Sequence, residues 1–413
     1  MERIVVRQPI FDRKQVVFGY KILCSSHHCE STNKLLQPDS SIKEVENTFL
    51  LIGFDKITSG KRAFVDLTLS LVAGETEITL PKDLTVVEIS HCPGASESLV
   101  KSVTWLKEQG YTVAADVAVM GNPALGLLEP LVDIVKTKIS PDGPALPAAK
   151  SLPYANGKKF LVEAVNTRAE LKLALDAGYD YFQGYFFSDP VIISEKEIPQ
   201  YELSQLRILH EVNRPELDYR SLENVIKQDV SVSYRLLRYI NSAFFGLRQN
   251  VSSIKQALTI LGEREIRRWA SLIILTGLGQ NKPAELVVAS LIRANFCEAL
   301  AGSVGLKESG PELFIMGLFS MLDVFLGRPL KEIIDDMPLS EDIKNALSGK
   351  KNRFKTLFDL VVSYERGNIK DFMSLASKLN VKEGMITGLY LEALERAEES
   401  LQLYGPRKTC ECN

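Results

Sequence analysis

Seven short β-rich runs separated by other segments fill the first half of this 413-residue chain, and this alternation limits the fold more than any other feature. The runs are mostly rich in Val, Ile, Phe or Tyr and lie at 16–23, 62–68, 84–90, 111–117, 132–138, 158–165 and 179–186. Strands that alternate with helices favour a parallel sheet, because parallel strands need a crossover connection. With at least seven strands in about 190 residues, we predict a closed α/β barrel of the TIM type, with a doubly wound open sheet as the alternative.

Two of the segments between these runs carry helix signals. Ile42, Val45, Phe49 and Ile52 are spaced i, i+3, i+7 and i+10, which is the spacing of one apolar helix face. A second segment, 167–178, opens with Thr167 as a candidate N-cap and closes with a glycine. Both segments are therefore predicted to be helices that connect strands.

The second half of the chain has a different pattern. After residue 199 the β-rich runs disappear, and apolar residues follow helical spacing, as in Ile254, Ala257, Leu258 and Leu261 before a helix end at Gly262. Similar runs continue to about residue 404. We predict two domains, an α/β barrel at 1–195 and an all-helical domain at 201–405, with a linker within 189–200.

Composition excludes several classes of protein. The formal net charge of -3 gives no reason to expect a polyanion binder. No run approaches the roughly 18 apolar residues of a membrane helix, and the charged first 15 residues lack the core of a signal peptide. Six cysteines in so long a chain do not make a disulfide framework. We expect a cytoplasmic protein with no membrane contact.

Two groups of potential metal ligands lie apart from these patterns. His27, His28 and Cys29 form one cluster, and Cys410 and Cys412 lie at the end of the chain. A structural metal site needs several ligands at spacings that close a tetrahedron, and a terminal Cys-x-Cys supplies only two. We expect an exposed loop and a disordered tail rather than metal sites.

The barrel half resembles a known family in two long segments. RQPIFDRKQVVFGYKIL (7–23) resembles the opening of EAL domains, the cyclic di-GMP phosphodiesterases, in the subgroup that is fused to an HDOD domain. The segment 160–190, with FQGY at 182–185, resembles the closing segment of the same family. The resemblance covers roughly residues 3–195 and implies a barrel of the EAL type.

The helical half resembles HDOD domains, which are relatives of the HD phosphohydrolases without the metal-binding His-Asp pair. Residues 226–262 carry this resemblance, and NSAFFG at 241–246 is its most specific part. Where an HD hydrolase would have His-Asp, this chain has Ser320 and Met321, which are poor ligands for a divalent cation. The resemblance implies a regulatory domain that does not hydrolyse phosphate esters.

The EAL resemblance implies a two-metal site at the carboxyl ends of the barrel strands, where the metals activate a water. The first metal-binding glutamate of that site is Lys21 here, and an ammonium group has no lone pair to donate. Val117 and Lys138 replace two further carboxylates, and His91 and Asn166 replace two more acidic residues. The positions that match the family site are Lys21, Asp66, Glu88, Asp116, Val117, Lys136, Lys138, Glu163 and Gln183.

This pattern predicts a barrel without metal, cofactor or phosphodiesterase activity, although residual activity is left open. Asp66, Asp116 and Glu163 are too few to offset the roughly four positive charges of two divalent metals, with two added lysines nearby. In one interpretation, the remaining acids pair with the lysines and form a closed polar floor.

In the second interpretation, four side chains bind an anionic nucleotide without cutting it, because lysine is an adequate partner for phosphate. These candidates are Lys21, Lys136, Lys138 and Gln183. We favour the closed floor over nucleotide binding.

We therefore predict a bacterial-type signal-transduction protein that acts through contacts with other signalling proteins. The alternatives are a non-hydrolysing sensor of cyclic di-GMP or another anionic nucleotide, and a weak cyclic di-GMP phosphodiesterase. A homodimer through the barrel rests on the resemblance alone. We expect no nucleic-acid partner, although arginines and aromatic residues interleave along the helical half. They are Tyr234, Arg235, Arg238, Tyr239, Phe244, Phe245, Arg248, Arg264, Arg267 and Arg268.

Overall fold

The computed structural model describes residues 3–26, 41–75, 77–90, 97–121, 123–139, 146–152, 157–190, 200–242, 245–246 and 249–404. The chain forms two compact units. The first, which we call the barrel unit, comprises Met1–Asp189 and Val362–Leu391, and the second, the helical unit, comprises Pro190–Val361 and Glu392–Asn413.

The barrel unit includes a late segment that the predicted domain boundaries assign to the helical domain. The buried Tyr364 hydroxyl donates a hydrogen bond to the Val5 carbonyl at 3.0 Å, and the Tyr185 hydroxyl donates one to the Glu365 carbonyl at 2.5 Å. Helical spacing in a sequence does not reveal which neighbour an apolar face packs against. The sequence therefore gave no signal for this attachment.

Eight strands close into a barrel in chain order. They are β1 Arg3–Asp12, β2 Val17–Ser26, β3 Arg62–Asp66, β4 Thr85–Ile89, β5 Thr112–Asp116, β6 Ile134–Lys138, β7 Lys159–Glu163 and β8 Tyr181–Gln183. A buried apolar cluster contains one residue from each of six strands: Ile10, Phe64, Val86, Ala114, Ile134 and Leu161. The closed α/β barrel predicted from the sequence is confirmed.

The first strand departs from the predicted parallel sheet. β1 pairs antiparallel with both β2 and β8, whereas the strands from β2 to β8 pair in parallel. Only residues 13–16 separate β1 from β2, and the Asp12 amide donates to the Val16 carbonyl at 2.9 Å across this turn. So short a connection permits only antiparallel pairing. β1 is therefore an antiparallel strand that was not among the seven predicted runs.

Helices connect the strands of the barrel. They are α1 Ile42–Ile52, α2 Phe54–Thr58, α3 Thr68–Val72, α4 Glu97–Gln109, α5 Val117–Met120 and α6 Arg168–Asp176. The predicted N-cap Thr167 accepts a hydrogen bond from the Glu170 amide in a capping box at the start of α6. In α1, Ile42, Val45 and Phe49 are buried, as their spacing predicted.

The elements after residue 200 are helical throughout the described residues, which confirms the all-helical prediction. They are α7 Gln200–Val212, α8 Tyr219–Gln228, α9 Val230–Ile240, α10 Ile254–Leu278, α11 Ala284–Ala301, α12 Gly310–Phe319, α13 Leu322–Leu326, α14 Leu330–Asp335, α15 Glu341–Leu347, α16 Arg353–Glu365, α17 Ile369–Lys378 and α18 Glu383–Tyr404. Gly262 interrupts α10 with φ 72° and ψ 167°, at the predicted helix end.

One part of the described chain, Lys307–Leu326, is long and apolar enough to cross a membrane when only length and composition are considered. Of its most apolar 18 residues, 67% are buried inside the protein. Helices in the core of a folded domain have the same length and composition. The absence of a membrane contact stays a prediction.

The turn after β8 requires a glycine. Gly184 has φ +152°, and a Cβ at this position would lie 2.0 Å from the carbonyl oxygen of Val165. No heavy atom of a side chain fits at that distance from a backbone oxygen. This close approach explains the glycine of the FQGY segment.

Gly184→Ala should therefore lower the unfolding free energy of the barrel unit by at least about 2 kcal/mol. The control is Gly388→Ala, because a Cβ on this helical glycine meets nothing within 4 Å. We expect that variant to gain about 0.5–1 kcal/mol, because alanine is the better helix former. Urea unfolding compares the two, and similar losses would show that the close approach at Gly184 is unimportant.

Candidate functional site at the barrel mouth

Charged and polar side chains meet near the carboxyl ends of the parallel strands, which we call the barrel mouth. The backbone register sets Asp66 of β3 opposite Glu88 of β4, and Asp116 of β5 opposite Lys136 of β6. In barrel enzymes this end of the strands carries the chemistry. The predicted positions gathered on the strands there are Lys21, Asp66, Glu88, Asp116, Lys136, Glu163 and Gln183.

Two lysines bridge three carboxylates in the mouth. Lys136 Nζ lies 3.2 Å from Glu88 Oε1, 3.1 Å from Glu163 Oε1 and 3.4 Å from Asp116 Oδ1. Lys21 Nζ lies 3.2 Å from Glu88 Oε2 and 3.1 Å from Glu163 Oε1. Glu88 thus gives one oxygen to each lysine, and both lysines share one oxygen of Glu163. We call these five residues the ion-pair cluster.

The members of the ion-pair cluster differ in depth. The side chains of Lys136 and Glu88 are 1% and 0% exposed, so they form the floor of the mouth. Lys21 is 10% exposed and Glu163 is 18% exposed. Asp116, at 31%, has the most exposed side chain of the five. A ligand that enters the mouth therefore meets Asp116, Glu163 and Lys21 before it reaches the floor.

The electrostatics of the cluster keep its lysines charged. Burial alone would lower the pKa of Lys136, but Glu163, Glu88 and Asp116 outweigh burial and hold that pKa well above its ordinary value. Burial and the neighbouring lysine also act to lower the pKa of Lys21, and Glu88 and Glu163 raise it overall. Both ammonium groups are charged at neutral pH.

The surroundings lower the pKa of Glu163 and raise the pKa of Asp116. Burial would raise the pKa of Glu163, but Lys136 and Lys21 lower it to about 2. Burial raises the pKa of Asp116, and the attraction of Lys136 offsets this effect only in part. A partly exposed carboxylate with a raised pKa is a better proton acceptor than an ordinary aspartate.

Acid should destabilise the barrel unit through Glu163. Its pKa of about 2 in the folded chain lies below its ordinary 4.5, so the folded state favours the ionised form. That contribution to stability is present above about pH 4.5 and is lost as the pH falls toward 2. Urea unfolding midpoints at pH 6 and pH 3 measure this loss. Glu163→Gln, although less stable at pH 6, should lose less between the two pH values, and an equal loss would contradict the assignment.

Two further polar residues lie at strand ends outside the ion-pair cluster. Asp66 Oδ1 accepts hydrogen bonds from the Thr68 amide at 3.1 Å and from Thr68 Oγ1 at 2.7 Å, while Asp66 Oδ2 is buried without a hydrogen-bond partner in the described residues. Gln183 Nε2 donates to Gln8 Oε1 at 2.9 Å. Asp66 therefore organises the start of α3, and Gln183 binds β1.

Two predicted site residues lie beside the ion-pair cluster. Val117 begins α5 directly after Asp116, and Lys138 ends β6 with an exposed side chain. We counted Lys138 among the lysines that could pair with the acids in a closed polar floor, but the buried lysine at that place is Lys136. Several residues named in the sequence analysis lie outside the described residues: His27, His28, Cys29, His91, Phe244, Arg248, Cys410 and Cys412.

The residues of the mouth do not fit the two-metal centre that the EAL resemblance implies. An ammonium group lies within 3.4 Å of each of Glu88, Asp116 and Glu163, and it would repel a divalent cation. Val117 supplies no donor at a position that the family fills with a carboxylate. Across the described ranges, no three His, Cys, Asp or Glu side chains are grouped so that they could hold a metal ion.

In the helical unit, Ser320 and Met321 occupy the place where an HD hydrolase would hold its metals. Ser320 Oγ donates to the Gly317 carbonyl at 2.7 Å and accepts from Arg293 Nη1 at 2.9 Å. Met321 is buried. A guanidinium group bound to a serine hydroxyl offers nothing to a cation.

The arginines of the helical half are partly engaged in internal contacts. Arg267 donates to the carbonyls of Val212 and Arg214 and binds Glu263. Tyr239 is buried, although Tyr234 is exposed. The absence of a nucleic-acid partner stays a prediction.

The chain is similar to known proteins along most of its length. Residues 198–327 match the family model of the HDOD domain. The chain is 34% identical over 405 residues to the uncharacterized protein YuxH of Bacillus subtilis, covering 96% of this chain and 98% of that protein. It is 31% identical over 372 residues to the cyclic di-GMP phosphodiesterase CdgJ of Vibrio cholerae, covering 88% of this chain and 85% of that protein. Among solved structures, an EAL domain protein from Listeria monocytogenes is 18% identical and covers 49% of this chain and 92% of its own, with a TM-score of 0.31.

The similarity to CdgJ overturns the prediction that the barrel is not an enzyme. That prediction counted metal ligands and treated their loss as decisive. It also counted the added positive charge of Lys21 and Lys138 against metal binding, whereas the ammonium groups that lie between the carboxylates are those of Lys21 and Lys136. A count of lost ligands is therefore insufficient to exclude hydrolysis.

Proposed function

This chain belongs to the family of signalling proteins that join an EAL domain to an HDOD domain and are related to cyclic di-GMP phosphodiesterases, and we propose that its barrel hydrolyses cyclic di-GMP slowly. The ion-pair cluster carries the proposal, because it gathers acids and ammonium groups at the face where barrel enzymes act. The substrate is supported by the 31% identity to CdgJ along 88% of the chain.

Lys21 is the cation that a phosphodiester would meet. Its side chain is 10% exposed, between Glu88 and Glu163. An ammonium group stabilises the negative charge that builds on phosphate oxygens in the transition state. It does not lower the pKa of a bound water as a metal ion does. We therefore expect turnover that is slow and independent of divalent metal.

Asp116 is the proposed proton acceptor. It would take a proton from the attacking water while the water oxygen bonds to phosphorus and one ester P–O bond breaks. Solvent returns a proton to the leaving ribose oxygen, and the product is a linear dinucleotide with one terminal phosphate. Lys136, at 1% exposure, does not touch the substrate and acts as a positioning residue for Asp116 and Glu163.

We place the contacts with signalling partners in the helical unit, in the cytoplasm. The match of residues 198–327 to the HDOD domain supports a regulatory role for this unit. A homodimer stays a prediction from the family resemblance.

Asp116→Asn tests the proposed chemistry. We expect it to lower the rate of linear product formation about 10²- to 10⁴-fold, as measured by chromatography. Because the pKa of Asp116 is raised, the wild-type rate should fall on acidification at a higher pH than an ordinary aspartate would cause. The control is Asp83→Asn, since Asp83 is exposed in the turn before β4. Unchanged product formation by Asp116→Asn would refute this role for Asp116.

A further inference from the structure

We propose that the helical unit holds a second binding site, for a small organic anion with an apolar body. A cleft of about 580 Å³ is lined by residues of α10, α12 and the segment that leads into α15, and by Glu298 of α11. Small-molecule sites in proteins have volumes of roughly 300–1,000 Å³. The cleft is lined by residues of the helical unit alone, so it is independent of the barrel mouth and of the hydrolysis proposed there.

One wall of the cleft is apolar. Pro311, Phe314 and Ile315 of α12 line it together with Leu339 and Ile343. An aromatic or aliphatic body of a ligand would cover these side chains and exclude water from them. This wall gives the site its preference for an apolar body.

The other wall is cationic. Arg268 is held by Glu298 at 2.7 Å and by Asn295 at 2.9 Å, and its guanidinium lies 4.1 Å from the centre of the Phe314 ring. Arg264 is more accessible than Arg268, because its side chain is 71% exposed. It lies 3.5 Å from Glu298, whereas Arg268 binds the same carboxylate at 2.7 Å. Arg264 is therefore the cation that a ligand anion can engage.

Charge and hydrogen bonding both point to an anion. Four arginines and three glutamates line the cleft, which leaves a formal charge of +1. Ser340 also lines it, and Ser340 Oγ is buried without a hydrogen-bond partner in the described part of the chain. A carboxylate, sulfonate or phosphate ester would pair with Arg264 and accept a hydrogen bond from this hydroxyl.

The probe for this site is 8-anilinonaphthalene-1-sulfonate, an aromatic anion that fluoresces in an apolar environment. We expect saturable binding of one molecule per chain. In a Trp105→Phe background, Trp269 on α10 is the remaining tryptophan, and its emission should decrease as the probe binds because excitation energy transfers to the bound naphthalene ring. Arg264→Glu should weaken binding at least tenfold and Ser340→Ala about threefold.

The matched control is Arg220→Glu, since Arg220 is an exposed arginine of α8 that does not line the cleft. It should leave binding unchanged, and circular dichroism verifies that each variant is folded. Fluorescence that does not saturate would overturn the proposal. Equal affinities of the Arg264→Glu and Arg220→Glu variants would also overturn it.

Discussion

Replacement of Lys136 by methionine should lower the unfolding free energy of the barrel unit by roughly 3–5 kcal/mol. Lys136 is 1% exposed and lies within 3.4 Å of three carboxylates. Methionine fills similar space without a charge, so Glu88, Glu163 and Asp116 would face one another with Lys21 as their remaining cation. An uncompensated buried carboxylate is strongly destabilising, because it has lost its hydration without gaining a partner.

The two tryptophans of the chain allow each unit to be followed separately. Trp105 lies on α4 of the barrel unit and Trp269 on α10 of the helical unit, so Trp105 fluorescence in a Trp269→Phe background reports urea unfolding of the barrel unit. The control is Lys159→Met, because Lys159 binds Asp180 at 2.9 Å but is 60% exposed. That variant should lose less than about 1 kcal/mol. Similar losses in both variants would show that the floor is unimportant for stability.

Lys21→Glu should convert the barrel mouth into a divalent-metal site. The substitution removes a cation that lies 3.2 Å from Glu88 and 3.1 Å from Glu163, and it adds a carboxylate in the same place. Mn²⁺ and Mg²⁺ prefer oxygen ligands, and the introduced glutamate would supply them beside Glu88 and Glu163. Lys136 still pairs with both acids, but the formal charge of the five positions changes from -1 to -3, which favours a divalent cation. Without metal, the repulsion among these acids should make the variant less stable than the wild type.

Thermal unfolding with and without 1 mM Mn²⁺ measures this gain. A Kd of about 10 µM would stabilise the variant by about 2.7 kcal/mol, or roughly 5–10 °C in Tm. Wild type should show no metal-dependent shift, because the ammonium groups occupy the carboxylates. The control is Lys21→Met, which removes the charge without adding a donor. A shift of equal size in wild type would contradict the assignment of the positive charge to the lysines.

The barrel was predictable because most of its parallel strands contain a short apolar run that is followed by a polar residue at or near the end of the strand. β1 was missed because Arg7, Gln8 and Pro9 interrupt its apolar residues, and a proline within a run argues against a strand. Its antiparallel pairing follows from the short turn before β2. A turn of four residues leaves no strand or helix period in the sequence. The spacing of apolar residues identifies the buried face of a strand, whereas the length of the connection determines whether two strands can pair in parallel.

At the site, the matched positions led to the right end of the barrel, but the sequence did not indicate depth. Lys136 and Lys138 are two residues apart on β6, so the strand period places both on the same face. Lys136 is buried because it lies inside β6, whereas Lys138 is exposed because β6 ends there. The shared oxygen of Glu163 likewise depends on the distance between β2 and β6 across the barrel, which no spacing in the sequence encodes.

The most direct measurement is product formation from cyclic di-GMP by the full chain in excess EDTA, repeated with Mg²⁺ and with Mn²⁺. Asp116→Asn, purified in parallel, serves as the blank for contaminating hydrolases. We predict that the wild type forms the linear dinucleotide slowly, that formation continues in EDTA, and that it exceeds this blank by at least about 100-fold. Product that forms only with added metal, or wild-type product no greater than the blank, would contradict metal-independent hydrolysis at the ion-pair cluster.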